Sequence, residues 1–296
     1  MNATASTEST ESPRGKRTRT KDTPKVRMPK LGFDGVARHW FAGNVMATHL
    51  ANGVNLLFPA GERFFVRSVK HYLDRIDDPE LVAQVKGFFG QEGRHAYSHE
   101  RFFQTLRDQG YDIDTFLAWY DRVAWDVLEK KTPKALHLSV TVALEHFTAL
   151  LAEDALTTGE LDHMAPELKN LLAWHAVEEL EHKAVAFDVM RAVAPSYALR
   201  MAGMLVGATA LGVFWMLATK ELLRQEGKTL REGMKELDKL RKEATASGVK
   251  GVGRPVSHVF VQGIREYLRP SFHPMDKDHT PLIRETLAKL AADGIV

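Results

Sequence analysis

Cysteine is absent from this chain. That excludes disulfides, thiolate zinc sites, cysteine-ligated iron–sulfur clusters and thiol nucleophiles, so any metal must be held by His, Asp or Glu. A dominant charge is lacking too. Lys and Arg number 40 against 38 Asp and Glu, a formal net charge of +2, and no global field favours a nucleic-acid partner. The N-terminus has no apolar run, so residues 1–30 do not read as a secretory signal. Sustained period-2 alternation with β-branched enrichment is missing as well, which argues against a sheet. What is present is a 296-residue chain, 44% hydrophobic with 13 histidines, long enough to bury one large core or two small ones.

Residues 1–30, rich in Ser, Thr, Glu, Lys and Arg, read as a disordered polar tail. The alternative is a basic arm (Arg14, Lys16, Arg17, Arg19, Lys21) touching an anionic membrane or partner. Residues 31–195 read as a helical domain. Residues 44–76 are apolar but interrupted near Pro59, Ala60 and Gly61, which predicts two helical pieces, the second opening with Glu62 in its first turn. Asp78-Pro79-Glu80 predicts a capped helix start, and that helix runs to about Asp108 before Gly110. A shorter helix starts at Asp114 and ends before Pro133. Another spans about Pro133 to Thr157, and a long one runs from Pro166 through Ala192 to a stop at Pro195. Residues 196–296 form a helical extension. In it the uncharged stretch Met201–Ala218 precedes a highly charged helix around Leu230–Thr245, then Gly248, Gly251 and Gly253, the loop Arg269–Asp276 (RPSFHPMD) and a last amphipathic helix.

Glu and His three residues apart share one face of a helix, so both can reach one ion. Random placement gives roughly one such pair in a chain like this, so one match means little. Three are present: Glu92/His95, Glu179/His182 and Glu160/His163. The last lies in the turn TTGELDHMAP and reads as an accident. The other two lie mid-helix in apolar surroundings, and each follows a lone Glu one helix upstream, Glu62 and Glu145. The order Glu, Glu-x-x-His, Glu, Glu-x-x-His, with spacings of 30 and 34 residues, suggests an internal duplication joined by a crossover helix over 114–131. It matches the carboxylate-bridged dinuclear site of an all-α, ferritin-like four-helix bundle. Four carboxylates neutralise two divalent ions and two imidazoles complete the set. Glu62, Glu92, His95, Glu145, Glu179 and His182 are therefore the expected ligands of two iron ions, with manganese or zinc as alternatives. His99, His175 and Glu178 are expected behind the ligands, orienting them. His99 and His175 are also open to being added ligands or core histidines, and Glu178 competes with Glu179, being four residues from His182. Glu153, Asp154 and Asp188 read as surface charges or outer carboxylates.

The segments NGVNLLFPAGERFFVRSVKHYLDRI, QVKGFFGQEGRHAYSHERF, ALEHFTALLAEDAL, WHAVEELEHKAVAFDV and RPSFHP together resemble a bacterial family described as predicted metal-dependent hydrolases, over roughly residues 33–276. The resemblance implies hydrolysis and carries metal-ligand motifs on the same six residues. The ligand set itself looks like that of ferritin-like di-iron oxidases and oxygenases.

Three functions are open. The first is a di-iron oxidoreductase that uses O₂ and an external electron donor on a hydrophobic, lipid-like substrate, as the neighbouring Phe58, Phe64, Phe65, Phe88, Phe89 and Phe147 allow. The second is metal-assisted hydrolysis at the same site, although its nearest cations, Arg63, Arg67 and Arg94, read as partners of nearby acids. The third is non-catalytic iron binding. Met201–Ala218 is expected to meet the cytoplasmic face of a membrane or a second copy of the chain rather than be fully buried. Its Gly203 and Gly207 permit close helix contact, and Lys228, Arg231, Lys235, Lys239, Arg241 and Lys242 follow it.

Overall fold

A computed structural model describes residues 22–253 and 257–296, and among them there is no strand, only an isolated bridge between Phe41 and Met164. The architecture is all-α. Four helices form the central bundle: α1 (Val45–Lys70), α2 (Pro79–Asp108), α4 (Lys134–Thr157) and α5 (Pro166–His182). α1 packs on α2 and α4, and α5 packs on α4 and α2. α3 (Asp114–Asp121) runs directly into a π-helical segment, Arg122–Glu129, and together they make the crossover between the two halves. The remaining helices are α6 (Val185–Val193), α7 (Tyr197–Gln225), α8 (Leu230–Ala246), α9 (Ser257–Tyr267) and α10 (Thr280–Ala292).

Local chemistry sets most ends. Asn44 caps α1 by accepting from Ala47 N–H, and Asp78 caps α2 by accepting from the Glu80 and Leu81 amides, with Pro79 at the first helical position. Gly110 and Gly159 follow α2 and α4 with φ of 88° and 78°, conformations that favour glycine.

Three expectations change. α1 is one helix, not two, and Glu62 lies well inside it; Pro59 is accommodated in the interior. Pro59 forfeits a backbone hydrogen bond at a cost of about 3 kcal/mol, but burial of Met46, Leu56, Leu57, Phe64, Phe65 and Val69 along both halves outweighs it. The long helix expected from Pro166 to Ala192 breaks immediately after His182. No Pro or Gly marks that break. It falls at buried Lys183, whose ammonium donates to the Lys277 carbonyl at 2.7 Å and meets His279 Nδ1 at 2.8 Å, partners nearly a hundred residues away. Third, residues 22–30 lie against the bundle rather than in a free tail. A Cβ on Gly87 or Gly90 of α2 would overlap Pro24 or Val26, so these glycines let the strap approach closely. Arg14, Lys16, Arg17, Arg19 and Lys21 fall outside the described residues.

α7 lies across α1 and α4. Its Gly203 faces the Ser139 backbone so closely that a Cβ would overlap it, and Gly207 faces Val140 and Ala143. The small-residue pair thus works inside the chain, between α7 and α4. α7 buries Met204, Phe214, Ala218, Leu222 and Leu223 but leaves Leu205, Val206, Val213 and Met216 exposed. Among the described residues two helices, α4 and α7, are by length and composition apolar enough to cross a membrane; α4 is mostly buried.

Candidate metal centre

The four bundle helices turn their most expensive side chains inward. α1 contributes Glu62, α2 Glu92 and His95, α4 Glu145, and α5 Glu179 and His182, and none of the six is more than 3% exposed. Ligand-capable atoms fall into three overlapping groups, Glu62/His95/His175, Glu92/His95/Glu179 and Glu92/Glu145/His182, each within 4.8 Å of one another. Glu92 belongs to two of them. Glu179 also straddles the centre, with Oε1 at 3.6 Å from His95 Nδ1 and Oε2 at 3.5 Å from His182 Nε2. His182 Nε2 further lies 3.1 Å from Glu92 Oε1 and 3.5 Å from Glu145 Oε2. Glu92 and Glu179 thus each approach ligand atoms on both sides of the cluster, with Glu62 and Glu145 at opposite ends.

Each histidine is oriented by a residue on the opposite helix. Glu178 Oε2 accepts from His95 Nε2 at 3.1 Å, which turns the Nδ1 lone pair inward. Gln91 Oε1 accepts from His182 Nδ1 at 2.8 Å, which turns Nε2 inward. Gln91 and Glu178 each stand immediately before the Glu of their own Glu-x-x-His, so the duplication extends to the orienting groups. Behind them sits the N-terminal strap. Arg27 donates to Glu178 at 3.2 Å and to both oxygens of Glu181, and Gln91 Nε2 donates to Glu181 and to the Lys25 carbonyl. The sequence reading named Glu178 but missed Gln91, Glu181 and Arg27. The matching position before each motif Glu was the available signal for Gln91; nothing local marked Arg27.

The duplication fails at one position. Four residues before Glu92, Phe88 sets its ring 5.1 Å from His182; four before Glu179, His175 stacks 4.0 Å from His95. His175 Nε2 lies 2.9 Å from Glu179 Oε1 and 3.7 Å from Glu62 Oε1, so it enters the cluster itself. His99 stands behind it, 2.6 Å from His175 Nδ1, and its own Nδ1 is hydrogen-bonded to Asn55. One end of the centre therefore has an imidazole where the other has a benzene ring.

The electrostatics call for cations. Burial and then the facing carboxylates push Glu62 and Glu145 well above the usual range, and burial raises Glu92 to about 7. Burial, with His175 adding to it, drives His95 well below the ordinary imidazole value. Burial opposes charge on Glu179 and His182 as well, but their mutual attraction prevails, holding Glu179 low and His182 high. Among the described residues, both oxygens of Glu62, Glu92 and Glu145, Glu179 Oε2, His95 Nδ1 and His182 Nε2 have no hydrogen-bond partner. Buried polar atoms rarely go unsatisfied, and buried charge is normally paired or bound to metal. All these orphaned atoms point at one centre, and a donor set of carboxylate oxygen and imidazole nitrogen fits hard or borderline divalent ions.

The other candidates lie elsewhere. Glu160 and His163 fall in a 3₁₀ turn, and His163 Nε2 bonds the Lys250 carbonyl. Glu153 pairs with Lys277 and His279, and Asp188 with His273 of the RPSFHP loop. Arg63 and Arg67 pair with Glu100 and Glu129. A separate group, His39, His49 and Glu226, is already engaged by Arg38 and the Tyr111 hydroxyl on Glu226.

Two apolar cavities flank the centre and meet at Val54, Phe58 and Thr148. One, about 160 Å³, reaches His175 and Glu179. The other, about 370 Å³, reaches Glu62. Phe58 stands between them, packed on the rings of His99 and His175 at 4.9 and 4.8 Å.

A family model described as "Predicted metal-dependent hydrolase" matches residues 25–278, and the chain belongs to that family. Neither the curated proteins nor the solved structures gave a match.

Proposed function

We propose that this member of the predicted metal-dependent hydrolase family holds two iron ions with Glu62, Glu92, His95, Glu145, Glu179 and His182, with His175 as a seventh ligand, and is an oxidoreductase that uses O₂ on a hydrophobic substrate. Iron, if held by these residues, would supply the electrons for reaction with O₂, with an external donor restoring them. The chain's own contribution is positional. Glu92 and Glu179 would be shared by the two ions, Glu178 and Gln91 fix the imidazole tautomers, and the buried walls exclude water. His175, backed by His99 and Asn55, makes one end richer in nitrogen than the other.

The observation that carries this reading is the pair of cavities whose inner ends are Glu62 on one side and His175 with Glu179 on the other. Their walls are mostly hydrocarbon, which suits a substrate without polar groups near the reacting carbon.

The family description favours a second reading, hydrolysis by the same two-ion site with zinc or manganese. A phosphate or ester would need polar groups to hold it. The more polar cavity near Lys183, Arg265 and His273 includes none of the six ligands.

Anaerobic loading with Fe(II) followed by an O₂ pulse separates the two. The oxidoreductase reading predicts uptake of two Fe(II) per chain and a rapid change in near-ultraviolet absorbance on the pulse. A loaded chain inert to O₂ that cleaves an ester or phosphodiester with zinc or manganese would establish hydrolysis instead.

A further inference from the structure

We infer that the larger apolar cavity binds a single-chain carboxylate, a fatty acid, with its head at Arg67 and Lys134 and its tail directed at Glu62. The inference rests on the di-iron reading only for what happens at the inner end; the binding stands on the cavity itself.

The cavity is a half-open cleft between α1, α4, α7 and the crossover. Phe64, Leu144, Ala210, Leu211 and Phe214 are among its walls. Protein interiors are packed with few voids larger than a water molecule, and apolar voids stay dry and accept apolar guests. At about 370 Å³ it lies near the lower end of ligand-pocket volumes, room for one chain and not for a two-chain lipid.

Besides Tyr120 and Thr148 in its walls, its polar groups sit at two places. Glu62 is the group on the metal side. The others, Glu129, Thr132 and His137, come from the end of the crossover and the start of α4. There the cavity shares Trp125 and Glu129 with a surface depression that also holds Arg63, Arg67, Lys130 and Lys134. Arg67 is one of the cations at this junction. Its guanidinium lies 5.5 Å from the centre of the Trp125 ring and donates to Glu129 at 2.7 Å. Lys134 is exposed at the start of α4. Arg63, Arg67 and Lys130 are paired with Glu100, Glu129 and Asp126, so among the described residues Lys134 is the rim cation without a carboxylate partner. An anionic head gives Lys134 a counter-charge, while the Arg67 guanidinium, already forked on Glu129 through Nε and Nη2, keeps Nη1 for it. The π-helical turn Arg122–Glu129 is what brings Trp125 and Glu129 to the rim; π turns recur at functional sites.

Calorimetric titration of the full-length chain as purified tests this, with octanoate, decanoate and dodecanoate below their micelle concentrations, each beside the matching alcohol. Burial of each methylene tightens binding about fourfold, so each two-carbon step gives roughly fifteenfold in both series. Arg67→Gln combined with Lys134→Gln, both on the surface, weakens the acids at least tenfold and leaves the alcohols unchanged. Ala210→Trp, which fills the cavity, abolishes both series; if that variant does not fold, the surface pair still decides. Affinity that is flat with chain length, or an equal loss of acids and alcohols in the surface variant, overturns the inference. A chain that binds dodecanoate as expected but is inert to O₂ sinks the oxidoreductase reading alone. An O₂-reactive chain with a flat series sinks this inference alone.

Discussion

Removing the two orienting residues one at a time should damage opposite ends of the metal centre. Glu178 is fully buried and receives His95 Nε2 at 3.1 Å, Trp174 Nε1 at 3.0 Å and Arg27 at 3.2 Å. Glu178→Ala leaves His95 free to rotate its Nδ1 out of the cluster and strands the Trp174 and Arg27 donors. Loss of an orienting partner generally costs 10–100-fold in metal affinity, about 1.4 to 2.8 kcal/mol. The Glu178 bonds include one from the charged Arg27, worth about 1.5 to 3 kcal/mol against about 1 for a neutral pair, so this variant belongs at the upper end, near 100-fold. Gln91→Leu removes a neutral bond of 2.8 Å to His182 and belongs near tenfold. Titration with Mn(II) or Zn(II), which bind without redox change, reads two steps. Glu178→Ala should weaken the step held by His95 and Glu62, and Gln91→Leu the step held by His182 and Glu145. The Gln91→Leu/Glu178→Ala double variant should weaken both. If both single variants weaken the same step, or neither weakens any, the reciprocal arrangement of ligands and orienting residues is wrong.

Three further outcomes follow from the geometry. A carboxyl whose folded pKa is raised lends stability below its unfolded pKa and loses it as pH rises through the folded one. With Glu92 raised to about 7, the metal-free Glu92→Gln variant should therefore melt above wild type at pH 8, with the gap closing toward pH 5; a gap independent of pH refutes the burial argument. Gly203→Leu should lower the melting temperature through a clash with Ser139, an overpacking cost of about 1–3 kcal/mol, and unchanged melting would show that α7 does not lie on α4. Leu205→Glu with Met216→Glu, both on the exposed face of α7, should abolish co-sedimentation with anionic vesicles while leaving metal content intact; equal sedimentation of variant and wild type removes membrane contact from the account.

Helix type and order were legible because the signals are local. Asp78-Pro79 and the glycines at 110 and 159 punctuate the chain wherever it folds. The pairing of Glu92 with His95 and of Glu179 with His182 was legible for the same reason, since three-residue spacing fixes a shared face. What escaped depends on distant partners. Pro59 reads as a break until the burial on both sides of it is known. The end of α5 at His182 follows from Lys183 reaching residues 277 and 279. The strap at residues 22–30 looks like tail by composition, yet Arg27 meets Glu178 and Glu181 across more than 150 residues of sequence. For His175 the spacing left both a ligand and a position behind the ligands open, because helical spacing gives the face but not the depth to which a ring reaches.

Elemental analysis of the purified chain beside its Glu92→Ala and Glu179→Ala variants tests the central claim most directly. Two metal ions per wild-type chain and near-complete loss of both in each variant are predicted, because each of these two carboxylates lies within reach of both groups of ligand atoms. Two ions retained in the Glu92→Ala variant, or a wild-type chain that holds no more than one after loading with excess metal, would contradict it.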